Sequence, residues 1–383
     1  MKPEKAPQID INSLIFSVLE SCICRGNTLE EALQFHFKRL RVSHRPTRAA
    51  TFEAVYYFLR DLRCIAGPGK ESTLSPLRLK ELLDKKTQNS KSAGTDVQRR
   101  EQSLPSWFYR RGLADYGAEV WQEMLAAMDV PPPLYIRVNT LKTTPDRLSV
   151  LLAGEGVQVT RAEGNPNALC LNRDAEPFRK ESYKHGFWEA QDISSQQVVH
   201  LMNLSPGMTV VDACAGTGGK TLAMAAAMQN KGKILALDVH TGRLDTLRKR
   251  LRRAGVNNAE VRHIDTSRVL KRLHQRADCL LLDVPCSGSG VLARNPDMRW
   301  KMQEHSFEEL LSQQCFLLEN YSLITKPGGT LVYATCSLFH DEGERQVEAF
   351  LAAHSNWSLI DQRRFGPGFS EGDGFYVARL QRK

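Results

Sequence analysis

Apolar residues recur at three- and four-residue spacing through the opening of the chain, in INSLIFSVLESCI, in TLEEALQFHFKRL and again from Arg48 to Ile65. This spacing predicts amphipathic helices, so residues 1–66 are expected to form a small helical bundle. From 67 to 103 the pattern dissolves into GPGKESTLSPL and KKTQNSKSAGTDVQRREQS, which have little to bury and read as a linker with one short helix. Periodicity returns at LPSWFYRRGLADYGAEVWQEMLAAM, a helix pair, followed by PPPLYIRVNTL, TPDRLSVLLAGEG, VQVTRA and NALCLN. Strand, helix, strand, strand is the order of a small α+β domain, placed at 104–190. From 191 to 383 the rhythm changes again. MTVVDAC, KILALDV, AEVRHID, DCLLLDVP and TLVYATC are near-continuous apolar runs of strand length separated by helical segments. Such alternation predicts an α/β fold, a Rossmann-like, doubly wound parallel sheet.

At 383 residues, 42% hydrophobic and 25% charged, the chain has the make-up of a globular protein of two or three domains, which argues against disorder and collagen-like repeats. It has no run of 18 apolar residues, so no transmembrane helix is expected. The apolar stretch near the start is broken by Asn12, Ser13 and Ser17 and is not read as a secretory signal. Nine cysteines without a CxxC pair fit neither a disulfide framework nor a zinc site, so no metal is expected and the setting is a reducing cytoplasm. The net charge of +9 favours a polyanionic partner over a membrane-embedded one. Seven basic residues between Lys38 and Arg63, and eleven between Arg243 and Arg276, could follow phosphates or simply form solvated helix faces. Trp107, Phe108, Tyr109, Arg110 and Arg111 admit base stacking, or the packing of an amphipathic helix.

Candidate chemistry begins at VVDACAGTGGKTLAMAAAM, where a glycine-rich turn joins a strand to a helix and presents backbone N–H groups to a ligand. Gly216, Gly218 and Gly219 form GxGG, which is neither the dinucleotide GxGxxG nor a P-loop, so a nucleoside triphosphate is disfavoured. Asp238 closes the second strand, where a carboxylate can accept both hydroxyls of a ribose. Asp265 ends the third strand and is expected at the adenine side of the same ligand.

The fourth and fifth strands end in DVPCSGSG and YATCS, which brings Cys286 and Cys336 to one edge of the sheet beside Asp283. A lone free cysteine is usually a small buried hydrophobe, but two converging on one crevice call for chemistry. Carbon 5 of a pyrimidine becomes nucleophilic only after something adds to carbon 6, and a thiolate can make that addition. A carboxyl group such as Asp283, bonded to the ring nitrogen and exocyclic amine, would stabilise the developing charge, with Lys220 assisting electrostatically. The residues alone give the two thiols equal standing.

With RVNTLKT, QDISSQ, DACAGTGGKT, ALDVH, HIDTSR, DVPCSGSGVLARNPD, YATCS and GFYVARL in this order, the chain resembles the RNA (cytosine-5) methyltransferases, in the Sun/Fmu group of 16S ribosomal RNA enzymes. The resemblance runs from about Leu104 to the C-terminus. It implies a class I methyltransferase fold, with S-adenosylmethionine held by Cys214, Ala215, Gly216, Thr217, Gly218, Gly219, Lys220, Asp238, Asp265 and Asp283. It also implies Cys336 as the nucleophile, Cys286 as the thiol needed for product release, an RRM-like unit before the catalytic domain, and a shortened NusB-like helical region at the start. The implied partner is RNA, ribosomal first and transfer RNA as the alternative, bound by a monomer; a non-catalytic ribosome assembly factor is the competing class. Thr217 stands where the family usually has proline, and Gly343 where asparagine is common.

Overall fold

The computed structural model describes residues 10–42, 44–67, 74–88, 95–172, 177–265 and 267–383. Part of the segment read as linker, residue 266 of HIDTSR, and the first nine residues of the chain lie outside that set. The chain divides into two compact units, Met1–Val130 with Leu292–Ser306, and Pro131–Val291 with Phe307–Lys383.

The first unit is helical. Helices Ile11–Ile23, Leu29–Arg39 and Arg45–Ala66 form where the spacing predicts them, the second started by a capping box in which Thr28 and Glu31 satisfy each other's backbone N–H groups. Two further helices, Pro76–Gln88 and Asp96–Gln102, occur in the segment read as linker. Leu79 and Leu82 of the first of these are buried with Val18, Leu19, Val55 and Leu62, so three-residue spacing outweighs a polar composition. Trp107 and Phe108 are buried as well, which favours helix packing over base stacking for that aromatic cluster. Trp300 joins the helical core from Leu292–Ser306, and beside it the Arg299 guanidinium donates to Ser103 Oγ at 2.9 Å and Asp129 Oδ1 at 3.3 Å. A guanidinium this deeply buried needs such partners, because its charge has left water.

The second unit holds two sheets. The smaller contains β1 (Leu134–Val138), β2 (Val159–Arg161), β3 (Ala168–Leu171) and β4 (Trp188–Ala190), in the antiparallel order β2-β3-β1-β4. Its core of Ile136, Leu148, Leu152 and Trp188 is closed by the helix Pro145–Gly154.

The larger sheet contains β5 (Thr209–Asp212), β6 (Lys233–Asp238), β7 (Ala259–His263), β8 (Ala277–Asp283), β9 (Thr325–Thr335), β10 (Trp357–Phe365) and β11 (Phe375–Arg382), in the order β10-β11-β9-β8-β5-β6-β7. The five expected strands are parallel; β5, β6, β8 and β9 are covered on both faces, while the edge strand β7 is only half-buried. Val210, Ile234, Leu281 and Val332 pack against Met224 and Met228 on one side, while Val211, Leu235, Leu280 and Leu282 pack against Leu317 and Phe350 on the other. Burial on both faces is why these strands read as unbroken apolar runs. The sheet is mixed rather than wholly parallel, because β10 and β11 add an antiparallel hairpin against β9. Only residues 366–374 join them, too few for the crossover a parallel pair requires. The chain adds β6 and β7 on one side of β5 and β8 and β9 on the other, and this reversal opens a crevice at the carboxyl edge between β5 and β8.

Gly290, just after β8, packs backbone to backbone on Gly374, just before β11. Gly374 N donates to Gly290 O at 2.8 Å, and a Cβ on Gly290 would lie 2.1 Å from Gly374 O. Gly290→Ala is therefore expected to destabilise the fold by about 1–3 kcal/mol, as overpacking does, measured by urea unfolding. An unchanged midpoint would show that the two backbones are free to part.

Candidate active site

Strand β5 ends at Asp212, and the chain turns through Ala213–Gly218 into the helix Gly219–Ala227. Both inner glycines have positive φ, 54° at Gly216 and 90° at Gly218, but for different reasons. A Cβ on Gly218 would lie 2.0 Å from Leu247 Cδ1, so this glycine lets the turn pack on its own domain. A Cβ on Gly216 would meet nothing within 4 Å, because that side of the turn faces open space. Asp238, at the end of β6, accepts Gly216 N and His240 N, both at 2.8 Å, and so ties the glycine turn to the neighbouring strand end.

These strand ends enclose a cavity of about 640 Å³. Of the residues expected to bind or react, Cys214, Ala215, Gly216, Thr217, Gly219, Lys220, Asp238, Asp283 and Cys286 line it. Gly218 does not, and Ile264 lines the wall in place of its exposed neighbour Asp265. Cys336 is not in the wall either, but its Sγ lies 3.2 Å from that of Cys286. Residues given no role from the sequence also line the cavity, among them Asp212, Gln191, His240 and Tyr321. Asp212 had a signal, the strand-ending acid of VVDAC, and Gln191 and His240 lie within QDISSQ and ALDVH; Tyr321 comes from a distant segment and had none.

Both departures from the family pattern have local compensations. Arg250 Nη1 donates to Thr217 O at 2.9 Å and to Thr217 Oγ1 at 3.0 Å, bracing a turn that lacks the rigid proline. Arg250 and Arg253 are held in turn by the buried Glu189, at 3.0 and 2.5 Å, so these two members of the basic run are engaged within the protein. At Gly343 a Cβ would lie 2.9 Å from Tyr376 Cγ, which leaves no room for a side chain.

The two cysteines meet because β8 and β9 are parallel neighbours in a register that sets Asp283 beside Ala334. Each strand then turns outward within three residues, so the half-buried Cys286 and Cys336 arrive side by side. The hydrogen bond to Cys336 pushes the Cys286 thiol well above its ordinary range, and burial and the negative charge of Glu342 push the same way. Cys286 is thus held as a thiol beside Cys336. Lys220 Nζ binds Asp283 Oδ2 at 2.7 Å and lies 5.0 Å from the centre of the Phe375 ring. Cys214 is raised out of the thiolate range by burial.

Asp212 is buried; Thr221 Oγ1 donates to its Oδ2 at 2.6 Å, while Oδ1 has no partner among the described residues. An orphaned acid oxygen at one wall, an open glycine turn at another and the Asp238 carboxylate at a third suit a nucleoside that carries a positive charge. The donor set therefore fits S-adenosylmethionine. Burial pushes the Asp212 carboxyl from 3.8 up to about 7. The folded chain then keeps a proton that the unfolded chain releases, so this residue lowers stability progressively as pH rises from about 4 to about 7. Asp212→Asn is expected to lack that loss, read as the difference between the two proteins' urea-unfolding free energies across the range. A constant difference would exclude the raised carboxyl.

Two family models match the chain: "16S rRNA methyltransferase RsmB/F" over residues 199–381, and the ferredoxin-like domain of RsmF/B-like methyltransferases over residues 104–176. The chain is 35% identical over 257 residues to a probable ribosomal RNA small subunit methyltransferase B of Synechocystis sp., a match covering 67% of this chain and 58% of that protein. It is 34% identical over 287 residues to ribosomal RNA small subunit methyltransferase B of Salmonella arizonae, covering 73% and 66%. The match thus spans less than two thirds of either relative. Among solved structures it resembles PH0851, with a TM-score of 0.86 and 25% identity over 99% of this chain and 100% of that one. It also resembles a methyltransferase homologue from Pyrococcus horikoshii, with a TM-score of 0.67 and 28% identity over 76% and 100%. With both the catalytic and the ferredoxin-like regions matched, the chain belongs to the RsmB/F methyltransferase family.

Proposed function

We propose that this protein is an S-adenosylmethionine-dependent RNA methyltransferase acting on carbon 5 of a cytosine in 16S ribosomal RNA, through a covalent bond between Cys336 and the base. The observation that carries this reading is the 3.2 Å approach of the two sulfurs beside the cavity that holds Lys220 and Asp283.

Asp238 would bind the ribose hydroxyls of the cofactor, the turn Cys214–Gly219 would lie along its edge, and Asp212 would face its positive end. When bound, S-adenosylmethionine supplies an electrophilic methyl group. The Cys336 thiolate adds to carbon 6 of the cytosine, which moves an electron pair to carbon 5. Asp283, fixed by Lys220, meets the ring nitrogen and exocyclic amine of the base, where the addition develops charge. Carbon 5 then bonds to that methyl group, a base such as a water molecule takes the carbon 5 proton, and the electron pair so released re-forms the ring double bond and expels Cys336 as a thiolate. Cys286 serves that release, as the proton-bearing group beside Cys336. Carbon 5 is out of reach in a stacked helix, so the target cytosine must be flipped out or lie in a loop. The RVNTLK strand β1 of the small sheet would lie near the RNA, with Arg137 itself buried and donating to Gln191 Oε1 at 2.6 Å. The reading requires no metal and places the protein in the cytoplasm.

Bisulfite sequencing of ribosomal RNA with and without the gene is expected to show one cytosine that loses protection in its absence; identical profiles would remove this reading. Cys286→Ala is expected to accumulate a protein–RNA adduct stable to denaturing electrophoresis, and Cys336→Ala to form none. The reverse pattern would exchange the two roles.

A further inference from the structure

Glu342 is fully buried in the turn that follows β9, and among the described residues no cation lies within ion-pair distance of it. Four neutral donors hold its carboxylate instead. Oε1 accepts Ser287 N at 2.7 Å and Gln314 Nε2 at 2.9 Å, while Oε2 accepts the hydroxyls of Ser287 and Ser337. An ionised carboxylate offers about four acceptor sites, and here all are taken. A buried charge persists only when it is compensated in this way.

The donors have a pattern. Ser287 follows Cys286, and Ser337 follows Cys336, so one carboxylate grips the residue behind each reactive sulfur. A second tie reinforces it, with Ser289 Oγ 3.0 Å from Ser337 Oγ, Leu338 N donating to Ser289 Oγ at 2.8 Å and Gly290 N donating to Cys336 O at 3.0 Å. Parallel pairing of β8 and β9 brings the two turns to the same edge but ends before the cysteines. Something must hold the turns beyond the last paired residue.

We infer that Glu342 is a positioning residue, the clamp that holds the Cys286 and Cys336 sulfurs together by accepting hydrogen bonds from the serine after each cysteine. The catalytic use of the pair rests on the methyltransferase reading; the clamp itself does not. Its acceptor must be a carboxylate. Glutamine has one acceptor oxygen, and its NH₂ would point donors at hydroxyls and an amide that already donate. Aspartate is one methylene shorter and cannot span both turns.

The test is the thiol–disulfide equilibrium of the full-length protein with glutathione, in which oxidised glutathione takes two electrons from the cysteine pair and leaves as two reduced molecules. Mass spectrometry of the peptide joining Cys286 to Cys336 reads the effective concentration of one thiol toward the other. Glu342→Gln is expected to lower it about tenfold or more, the factor that corresponds to losing one charge-assisted hydrogen bond. Leu152→Ala, which opens a cavity in the core of the small sheet, should lower stability and leave this value unchanged. If Glu342→Gln does not fold, Ser287→Ala and Ser337→Ala each remove one donor and are expected to lower it about threefold, a smaller share of the same bond energy. A value unaltered in Glu342→Gln, or in both serine variants should that variant not fold, overturns the clamp; so does an equal fall in Leu152→Ala. A wild-type protein that forms the disulfide as expected but methylates no RNA sinks the methyltransferase reading and leaves the clamp standing. If both hold, Glu342→Gln should lower kcat while leaving the KM for S-adenosylmethionine unchanged, since Glu342 is not in the cavity wall.

Discussion

The parallel pairing of β8 with β9 is the constraint on which the site depends. One register, with Asp283 beside Ala334, decides that two cysteines fifty positions apart reach the same edge of the sheet, and that both arrive next to the crevice opened where the strand order reverses around β5. A slip of one residue would turn every side chain of the strand to the opposite face and remove the meeting altogether. Register is secure here because Leu280, Leu282, Leu331 and Tyr333 are buried on one face and Leu281 and Val332 on the other, so the strand has no inexpensive alternative.

Electrostatics follow from that arrangement. Asp212, Asp238 and Asp283 stand at the ends of three successive strands of the sheet, and Lys220 is bound to only one of them. Burial is the larger cause of the raised Asp212 carboxyl, but the charges of Asp283 and Asp238 push it the same way. The wall balances these three acids with Lys220, Arg243 and Arg250, so the acids are gathered at the strand ends rather than in excess. At the sulfur pair the balance runs differently: the Glu342 carboxylate lies behind the cysteine turns, held by neutral donors, and its charge reinforces the protonated state of Cys286.

The segment after the Cys286 turn shows how far tertiary context reaches. Leu292–Ser306 leaves the sheet unit and joins the helical one, where Trp300 enters the core and Tyr56 Oη donates to Ala293 O at 2.9 Å. The burial of Arg299 is offset by Asp129, Ser103 and the Met128 carbonyl, and that of Asp129 also by Arg99 at 2.7 Å and Arg100 at 3.0 Å. In LARNPDMRW nothing marks that arginine as interior, since an arginine in an isolated stretch of sequence is expected in water.

Periodicity and composition determined what depends on neighbours along the chain: the opening helices, the five parallel strands, the glycine turn and the acids at strand ends. These are legible because local spacing decides which face of an element is buried. Tertiary structure alone decided what depends on residues far apart. It turned Leu79 and Leu82 of the expected linker into core, made Gly218 a packing glycine and Gly216 an open one, and put Ile264 rather than Asp265 in the wall. It also gathered Ser287, Ser337 and Gln314 around Glu342, a residue that reads in sequence as one more acid in DEGE. The physical reason is that hydrogen bonding and desolvation act through space at a few ångströms, and a pattern read along the chain carries no information about distances across it.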